Sequence, residues 1–508
     1  MHLLTASEAK KADEIAMSEE GLSSSVLMKN AAAGALAVLQ RYHNLKGKRV
    51  LIFAGPGHNG GDGRVMGRLM TPLAKKVRMF SVPTRPHDTI PSIHLKKIIS
   101  DSDLIVDAIF GTGLSRNIFG FAKDVIQSIN ESRKWILSLD LPSGLSADTG
   151  QPLGVSVKAH VTVTFGLPKI GLVLPHASEW VGRMEVVDIG IPSPVYDKVL
   201  PSKNRIFWMT QEEVRLPLRQ ENSHKGTHGH VLLLGGSQNK PGSILLSGQA
   251  ALRTGAGLVT VALPDKAFQK LRPGFLELMY EPLPSQASGT ISWKAKAKKL
   301  FSEISKNKSV LAVGPGLGVT LETRSMMKSL FETTSPLAPG LPLLLDADAL
   351  NSLSRPEILH RRFPVVLTPH PGEMARLIGT TTTFVQKNRI EIAREFATTH
   401  NVWLVLKGFR TLTACPQGDV WINSTGNPGM ATAGMGDVLT GVLSSLIAQC
   451  SEGTHRVQGT NLDEAIRTGV FLHGLAGDHI AKRIGTRGLI ASDVIDEMPR
   501  MMKFCFRP

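Results

Sequence analysis

KRVLIFAGPGHNGGDGRVMGRLM, residues 48–70, joins an apolar β-branched run to a glycine-rich turn and then to a helix-like segment. A strand that turns on glycines into a helix is the opening unit of an α/β sheet, and its free backbone N–H groups face any anion placed at the helix N-terminus. Five more short apolar runs follow: KKVRMFSV (75–82), DLIVDAIF (103–110), KWILSLD (134–140), HVTVTF (160–165) and MEVVDIG (184–190). With helix-like segments such as FAKDVIQSINES (121–132) between several of them, the pattern predicts a parallel, doubly wound sheet. Upstream, Thr5 and Glu8 have capping-box spacing, and SSSVLMKNAAAGALAVLQRYH (23–43) reads as a second helix rich in small residues.

Downstream, the alternation lapses over residues 192–225 into polar, proline-bearing sequence, and HGHVLLLGG (228–236) begins a second series. LVTVALP (258–264), SVLAVGPGLG (309–318), PLLLDADAL (342–350), PVVLTPHPGE (364–373) and VWLVLKG (402–408) continue it. Two α/β domains are expected, 1–213 and 214–508, with no repeat unit relating them. A chain of 508 residues is long enough for two cores. In sheets of this kind ligands sit beyond the carboxyl ends of the strands, where these turns lie.

Composition sets the class. Hydrophobic residues make up 42% and charged ones 20%, and the 49 glycines are spread along the chain, so a globular protein is expected. An excess of 58 Lys and Arg over 42 Asp and Glu, a net +16, favours anionic partners such as phosphate esters and nucleotides. Aromatics are only 5%, and no recognition-helix, zinc or aromatic RNA-platform pattern accompanies the charge, so no nucleic-acid partner is expected. Cys415, Cys450 and Cys505 are few, scattered and odd in number, as expected of reduced thiols. Early charges at Glu8, Lys10, Lys11 and Asp13, and the lack of a bilayer-length apolar run, point to a soluble cytoplasmic protein with no membrane partner.

Two sites emerge from the turns. In the first half Asn59 lies in the glycine-rich loop, Asp107 and Asp140 close strands, and Ser143 follows in a PSG turn. Together they would present oxygen ligands that a cation could bridge. Each alone is more often a cap or turn residue; their convergence on one sheet edge makes the pocket. In the second half NSTGNPGMATAGMGD (423–437) precedes the apolar helix-like VLTGVLSSLIAQ. Gly434, Gly436 and the helix start would aim donors at a transferring phosphoryl group, with Asp437 as the base for an attacking hydroxyl. An isolated aspartate there would be an N-cap. The company of GPGLG, DADAL, TPHPGE and KGFRT, each after a strand, favours the catalytic reading.

GPGHNGGDG, DLIVDAIFGTGL and LDLPSGLSADTG resemble the epimerase domain that acts on hydrated NADH and NADPH, over roughly the first two hundred residues. The resemblance implies a Rossmann-like fold and substrate contacts (NADHX or NADPHX) from His58, Asn59, Gly60, Gly61 and Asp62, from Gly111, Thr112, Gly113, Leu114, Ser115, Arg116 and Asn117, and from Asp140. It also implies potassium held by Asn59, Asp107 and Ser143. His58 departs from the family's usual second asparagine. Asp140 is the candidate acid/base; Lys169, in TFGLPKIGL, is an alternative stabiliser of charge at a position where a lysine is usually a solvated rim residue.

GNPGMATAGMGDVLTGVL, TPHPGEMARL, PGSILLSGQAALRTGAGLVTVA and LHGLAGD resemble the ribokinase superfamily, and more closely its branch that dehydrates the S form of the same hydrates. That implies a ribokinase-like α/β sandwich and hydrate contacts from Ser243, Gly316, Gly318, His370 and Asp437. It further implies that Lys407, Gly408, Phe409, Arg410, Thr411 and Gly436 hold ADP or ATP, and that Glu373 organises magnesium through water. Ser243 stands where the family often has Ala, Met435 where it has Ser or Ala, and His370 where sugar kinases carry Asn. The expectation is a bifunctional repair enzyme with ADP or ATP as co-substrate, self-associating as the resemblance suggests. Its rivals are a small-molecule kinase with a regulatory first domain and a binding scaffold.

Overall fold

The computed structural model describes residues 1–506 except 84–91, 272–275, 333–336, 338–339, 354–363 and 451–458. The chain divides into two compact units, Met1–Ile206 and Phe207–Pro508.

The first unit is built on six parallel strands: β1 (Arg49–Ala54), β2 (Lys76–Ser81), β3 (Leu104–Ala108), β4 (Trp135–Leu139), β5 (Val161–Phe165) and β6 (Arg183–Val187), in the order β2-β1-β3-β4-β5-β6. Side chains alternate between two cores. Val50, Ile52, Val106 and Leu137 pack with Ala31, Ala32 and Ala35 of the helix Ser24–Tyr42. Leu51, Phe53, Ile105 and Ile136 pack with Val125, Ile126 and Ile129 of the helix Gly120–Glu131. A sheet covered on both faces needs strands that are apolar throughout, which is why these runs read as continuous hydrophobics. The capping box forms: Glu8 N donates to Thr5 Oγ1 at 3.2 Å and Thr5 N to Glu8 Oε2 at 2.8 Å, opening the helix Ala6–Ser18.

The second unit carries ten strands: β7 (Ile206–Met209), β8 (His230–Leu234), β9 (Leu258–Pro264), β10 (Met279–Leu283), β11 (Val310–Val313), β12 (Leu343–Leu345), β13 (Val365–Leu367), β14 (Trp403–Leu406), β15 (Leu412–Ala414) and β16 (Val420–Asn423). Their order is β10-β9-β8-β11-β12-β13-β14-β15-β16-β7, parallel from β10 to β14 and antiparallel through β15 and β16. The helix Met435–Gln449 is buried nearly all round, which accounts for its uninterrupted apolar sequence. A Cβ at Gly441 would come 2.1 Å from Ser247 O, so only glycine lets this helix lie so close to Pro241–Arg253.

The sequence reading treats 192–225 as an irregular linker and divides the chain at 213/214; the compact units divide at 206/207. β7 lies inside that stretch at the sheet edge, with Phe207 stacked on Trp421 at 4.9 Å and 8°. Four residues, IFWM, flanked by polar and proline-bearing sequence, are too few to give a periodicity. Among the described residues no helix is long and apolar enough to cross a membrane.

Candidate active sites

Each sheet has one place where strand order reverses, between β1 and β3 in the first and between β8 and β11 in the second. Crevices open at such switch points. Backbones cross there at close quarters: a Cβ at Gly55 would lie 2.0 Å from Ile109 O, and one at Gly235 2.4 Å from Pro315 O.

At the first switch point the ends of β1, β3 and β4 bring Asn59, Asp107 and Ser143 together. Asp107 Oδ1 accepts from Ser143 Oγ at 2.5 Å, and its Oδ2 accepts from Ser143 N and Ser138 Oγ, each at 2.8 Å. Burial raises the pKa of Asp107, with the bonds from Ser143 and Ser138 opposing. Asn59 Nδ2 donates to Phe110 O at 3.0 Å, and Phe110 N donates to Ser143 Oγ at 2.8 Å, so the three residues gather around one peptide. Asn59 Oδ1 is buried without a hydrogen-bond partner. An orphaned amide oxygen beside a carboxylate and a hydroxyl is a donor set of hard oxygens, which fits a cation such as potassium.

Above this floor lies a cavity of about 960 Å³, lined by His58, Asn59, Asp62, the whole segment Gly111–Asn117 and Asp140. Gly60 and Gly61 are not part of the lining. They allow packing: a Cβ would fall 1.9 Å from Gly55 O at Gly60 and 2.9 Å from Met28 Sδ at Gly61. Asp140 holds the left-handed backbone (φ 62), accepts from Thr112 N at 3.3 Å, and pairs with Lys169 Nζ at 2.6 Å. Lys169 is not a rim residue. It is only 4% exposed and also donates to Phe165 O at 3.0 Å and Thr164 Oγ1 at 3.3 Å, because the residue-4 backbone bonds to Pro168 and Ile170 and seals the lysine inside. Three further carboxyls line the cavity, Asp13, Glu14 and Asp62. Asp62 is pushed up to about 8 by burial and by the neighbouring Asp140 and Asp13, and Asp13 is raised by burial.

In the second unit the centre is Asp346, at the end of β12 and 1% exposed. Its Oδ1 accepts from Lys407 Nζ at 2.6 Å and Thr368 Oγ1 at 2.8 Å, and its Oδ2 from Thr440 Oγ1 at 2.8 Å. Burial opposes the charge on Lys407, but Asp346 and Glu373, the latter at 3.9 Å, outweigh it and raise the lysine's pKa. Asp437 enters in the first turn of the helix Met435–Gln449, behind Gly434 in left-handed conformation (φ 87). Burial and the Asp346 carboxylate push Asp437 up to about 6, against a hydrogen bond from Ser243. A Cβ at Gly436 would sit 3.5 Å from Lys407 Nζ, so the glycine keeps the helix start open over the lysine.

The remaining predicted residues divide into two groups. Ser243 and Gly316 adjoin, a Cβ on Gly316 lying 3.2 Å from that of Ser243, and Gly318 N donates to Asp348 Oδ2 at 2.8 Å. His370 caps the helix Pro371–Ile378: its Nδ1 accepts from Gly372 N at 3.0 Å and Glu373 N at 3.4 Å, while Glu373 Oε2 accepts from His370 N at 2.8 Å. The imidazole thus does the capping work of the asparagine it replaces. Burial lowers its pKa, aided by Lys407 and Arg376 against Glu373. Among the described residues no group of three His, Cys, Asp or Glu side chains could hold a metal, so Glu373 offers a single buried carboxylate.

Lys407–Thr411 forms the turn between β14 and β15. Gly408 (φ 133) passes Arg389 Nη1 closely, Thr411 Oγ1 bonds Gly408 O at 2.8 Å, and the Arg410 guanidinium stacks 4.5 Å from the Trp208 ring centroid while donating to Ser424 O at 3.0 Å. Phe409 is 48% exposed, with the Arg410 guanidinium 4.8 Å from its ring centroid. The sequence reading assigned no role to Asp346, although it quoted DADAL. It also assigned none to Thr440, to Arg389, whose guanidinium donates to Leu406 O and Lys407 O under the turn, or to Asp478, which holds Gly426 N and Asn427 Nδ2 at 2.9 Å.

Comparison with known proteins covers both halves. A family model described as NAD(P)H-hydrate dehydratase matches residues 231–500, and one described as YjeF-related protein N-terminus matches 24–90 and 82–171. The bifunctional NAD(P)H-hydrate repair enzyme Nnr of Moorella thermoacetica is 39% identical over 536 residues, spanning 99% of this chain and 97% of its own. The Escherichia coli protein of the same name is 32% identical over 469 residues, spanning 89% and 84%. The crystal structure of ADP/ATP-dependent NAD(P)H-hydrate dehydratase from Bacillus subtilis, co-crystallised with ATP and Mg2+, is 31% identical with a TM-score of 0.50, and covers 59% of this chain and 99% of that one.

Proposed function

This chain belongs to the bifunctional NAD(P)H-hydrate repair enzymes, and on that premise we propose how its residues divide the work. The first domain interconverts the R and S epimers of hydrated NADH and NADPH at ring carbon 6. The second dehydrates the S form at the expense of ADP or ATP, giving AMP or ADP and phosphate.

In the second site the hydrate's hydroxyl attacks the terminal phosphoryl group while Asp437 accepts its proton. A base poised near neutrality is suited to that step, and burial beside Asp346 pushes Asp437 up to about 6. The N–H groups at the start of Met435–Gln449, opened by Gly434 and Gly436, stabilise negative charge on the phosphoryl oxygens, and Lys407 supplies a cation beside them. The ring nitrogen then expels phosphate, and loss of a proton from the adjacent carbon restores the dihydronicotinamide. Ser243, Gly316, Gly318 and His370 bound the hydrate, and the Lys407–Thr411 turn with Phe409 receives the adenine nucleotide. Magnesium arriving with the nucleotide would neutralise its phosphates, with Glu373 as the nearest carboxylate to its water shell.

In the first site Asp140, oriented by Lys169, is the acid/base at carbon 6. Asn59, Asp107 and Ser143 would hold potassium, which would tie the start of the helix His58–Met70 to the turn after β3. The observation that carries the reading is the pairing, in one chain, of an aspartate-lined cavity with an aspartate set at an anion-binding helix start. The test is to incubate the protein with hydrated NADH and either ADP or ATP, and to follow reduced-nicotinamide absorbance and phosphate. Recovery of NADH with equimolar phosphate supports it. A stable phosphorylated product, or no recovery with either nucleotide, contradicts it.

A further inference from the structure

The epimerising cavity contains a carboxyl that none of the loops after the strands supplies. Asp13 sits on the helix Ala6–Ser18, upstream of residues 24–171 matched to the N-terminal family model, and lines the same cavity as Asp62, Asp140 and Lys169. Its place is fixed. Leu4 N donates to Pro168 O and Ile170 N to Leu4 O, both at 2.9–3.0 Å, so the chain is stitched beside Lys169 before the capping box launches the helix; Ala9, Ala12 and Ala16 are buried along it.

Three carboxyls therefore meet one lysine, and they are not equivalent. Asp140 is engaged by Lys169 and Thr112 N. No hydrogen bond acts on Asp13 or Asp62, and Asp62 is only 8% exposed. Inverting carbon 6 needs opposite protonation states at once. An acid must protonate the departing hydroxyl, and a base must take a proton from the water that replaces it. Neighbouring carboxyls in unlike surroundings divide such roles.

We infer that Asp13 is a further catalytic residue of this cavity: it hands a proton to the departing hydroxyl, while Asp140, paired with Lys169, accepts one from the water that adds to the other face of the ring. The inference rests on the epimerase reading above. In the first half-step the C6–O bond breaks, the ring nitrogen's lone pair forms the C6=N1 double bond, and water leaves carrying the Asp13 proton. In the second, a water oxygen bonds C6 from the other side, its proton goes to Asp140, and the nitrogen regains its pair; Asp140 then releases that proton to solvent and Asp13 takes one up, restoring both starting states. The groups facing Asp13 are Lys169, Asp140 and Asp62, His58 on the helix His58–Met70, Tyr196 on Ser193–Val199, and Glu14 on its own helix. Burial keeps Asp13 protonated above the ordinary carboxylate range. The acid form is thus present at low pH and is lost as pH rises through its raised value.

The test measures R-to-S exchange across pH on the full chain, corrected for spontaneous exchange, with S-hydrate dehydration as the control for folding. Asp13→Asn is expected to lower kcat for exchange by about a hundredfold with KM little changed, and to abolish the alkaline limb; dehydration stays at the parent rate. Asp13→Glu is expected to recover part of the rate with the limb displaced, and it carries the test if the asparagine variant does not fold. Asp62→Asn should keep the limb. Parental rate and pH profile in both Asp13 variants would overturn the inference alone, as would loss of the limb only in Asp62→Asn. A parent protein that exchanges no epimer would sink the epimerase reading and this inference with it.

Discussion

Both sites hold an aspartate–lysine pair beyond the carboxyl ends of the strands, Asp140–Lys169 and Asp346–Lys407, each at 2.6 Å, yet the two pairs are surrounded differently. Asp346 is held by three donors, Thr368, Thr440 and Lys407, and the carboxylate left perturbed is Asp437. Asp140 keeps only Thr112 N and its lysine, and its side chain lines the open cavity beside Asp13 and Asp62. A carboxylate buried under three donors shapes the field for its neighbour; one that faces a cavity with two can itself move protons. The same pair is thus scaffold in the second unit and working group in the first.

Substitution of the working groups should have the largest effect. Asp437→Asn is expected to cut dehydration roughly 10³-fold while exchange persists, and Asp140→Asn to do the reverse. Assaying each epimer separately reads both, and loss of both activities in either folded variant would break the division. Next come the lysines. Lys407→Met strands a fully buried carboxylate and is expected to cost about 3–5 kcal/mol of stability in chemical denaturation. Lys169→Met should cost less, since Asp140 can meet water in the cavity; equal losses would contradict the contrast.

The two sites should also separate by pH. Dehydration is expected to fall as pH drops through about 6, where Asp437 gains a proton, with no such limb in exchange. The same shift acts on stability. Asp437's folded pKa lies above its unfolded value of 3.8, so ionising it costs the fold an amount that grows from about pH 4 and is complete above 6. Asp437→Asn should therefore melt higher than the parent at pH 7 but not at pH 4. The smallest effect is at the cap: His370→Ala should lose about 1 kcal/mol, whereas His370→Asn restores the bond to Gly372 N and loses little.

Most strands of both sheets, β10, β15 and β16 excepted, were legible because a sheet covered on both faces demands apolar runs ending in glycine turns, as at Gly55 and Gly314. β7 was not, since Phe207, Trp208 and Met209 form a strand only when β16 supplies the partner edge. Site residues in loops after strands were legible for the same reason: the fold delivers those loops to one edge. Asp13 and Arg389 were not, and Lys169 was legible as a stabiliser of charge but not as a buried one. Each reaches its site from an element distant in sequence, and only packing turns a surface-type residue into a buried one. The convergence of Asn59, Asp107 and Ser143 on one sheet edge was legible, but that they gather around the backbone of Phe110, with Asn59 Oδ1 left unpartnered, needed coordinates.

The central claim is that both sites serve one damaged coenzyme in sequence. Its most direct test supplies only the R epimer of hydrated NADH, with nucleotide and magnesium, and follows reduced-nicotinamide absorbance. The account predicts complete recovery by the parent protein faster than spontaneous epimerisation allows, and recovery limited to the spontaneous rate in Asp140→Asn. Recovery by the parent at no more than the spontaneous rate would contradict it.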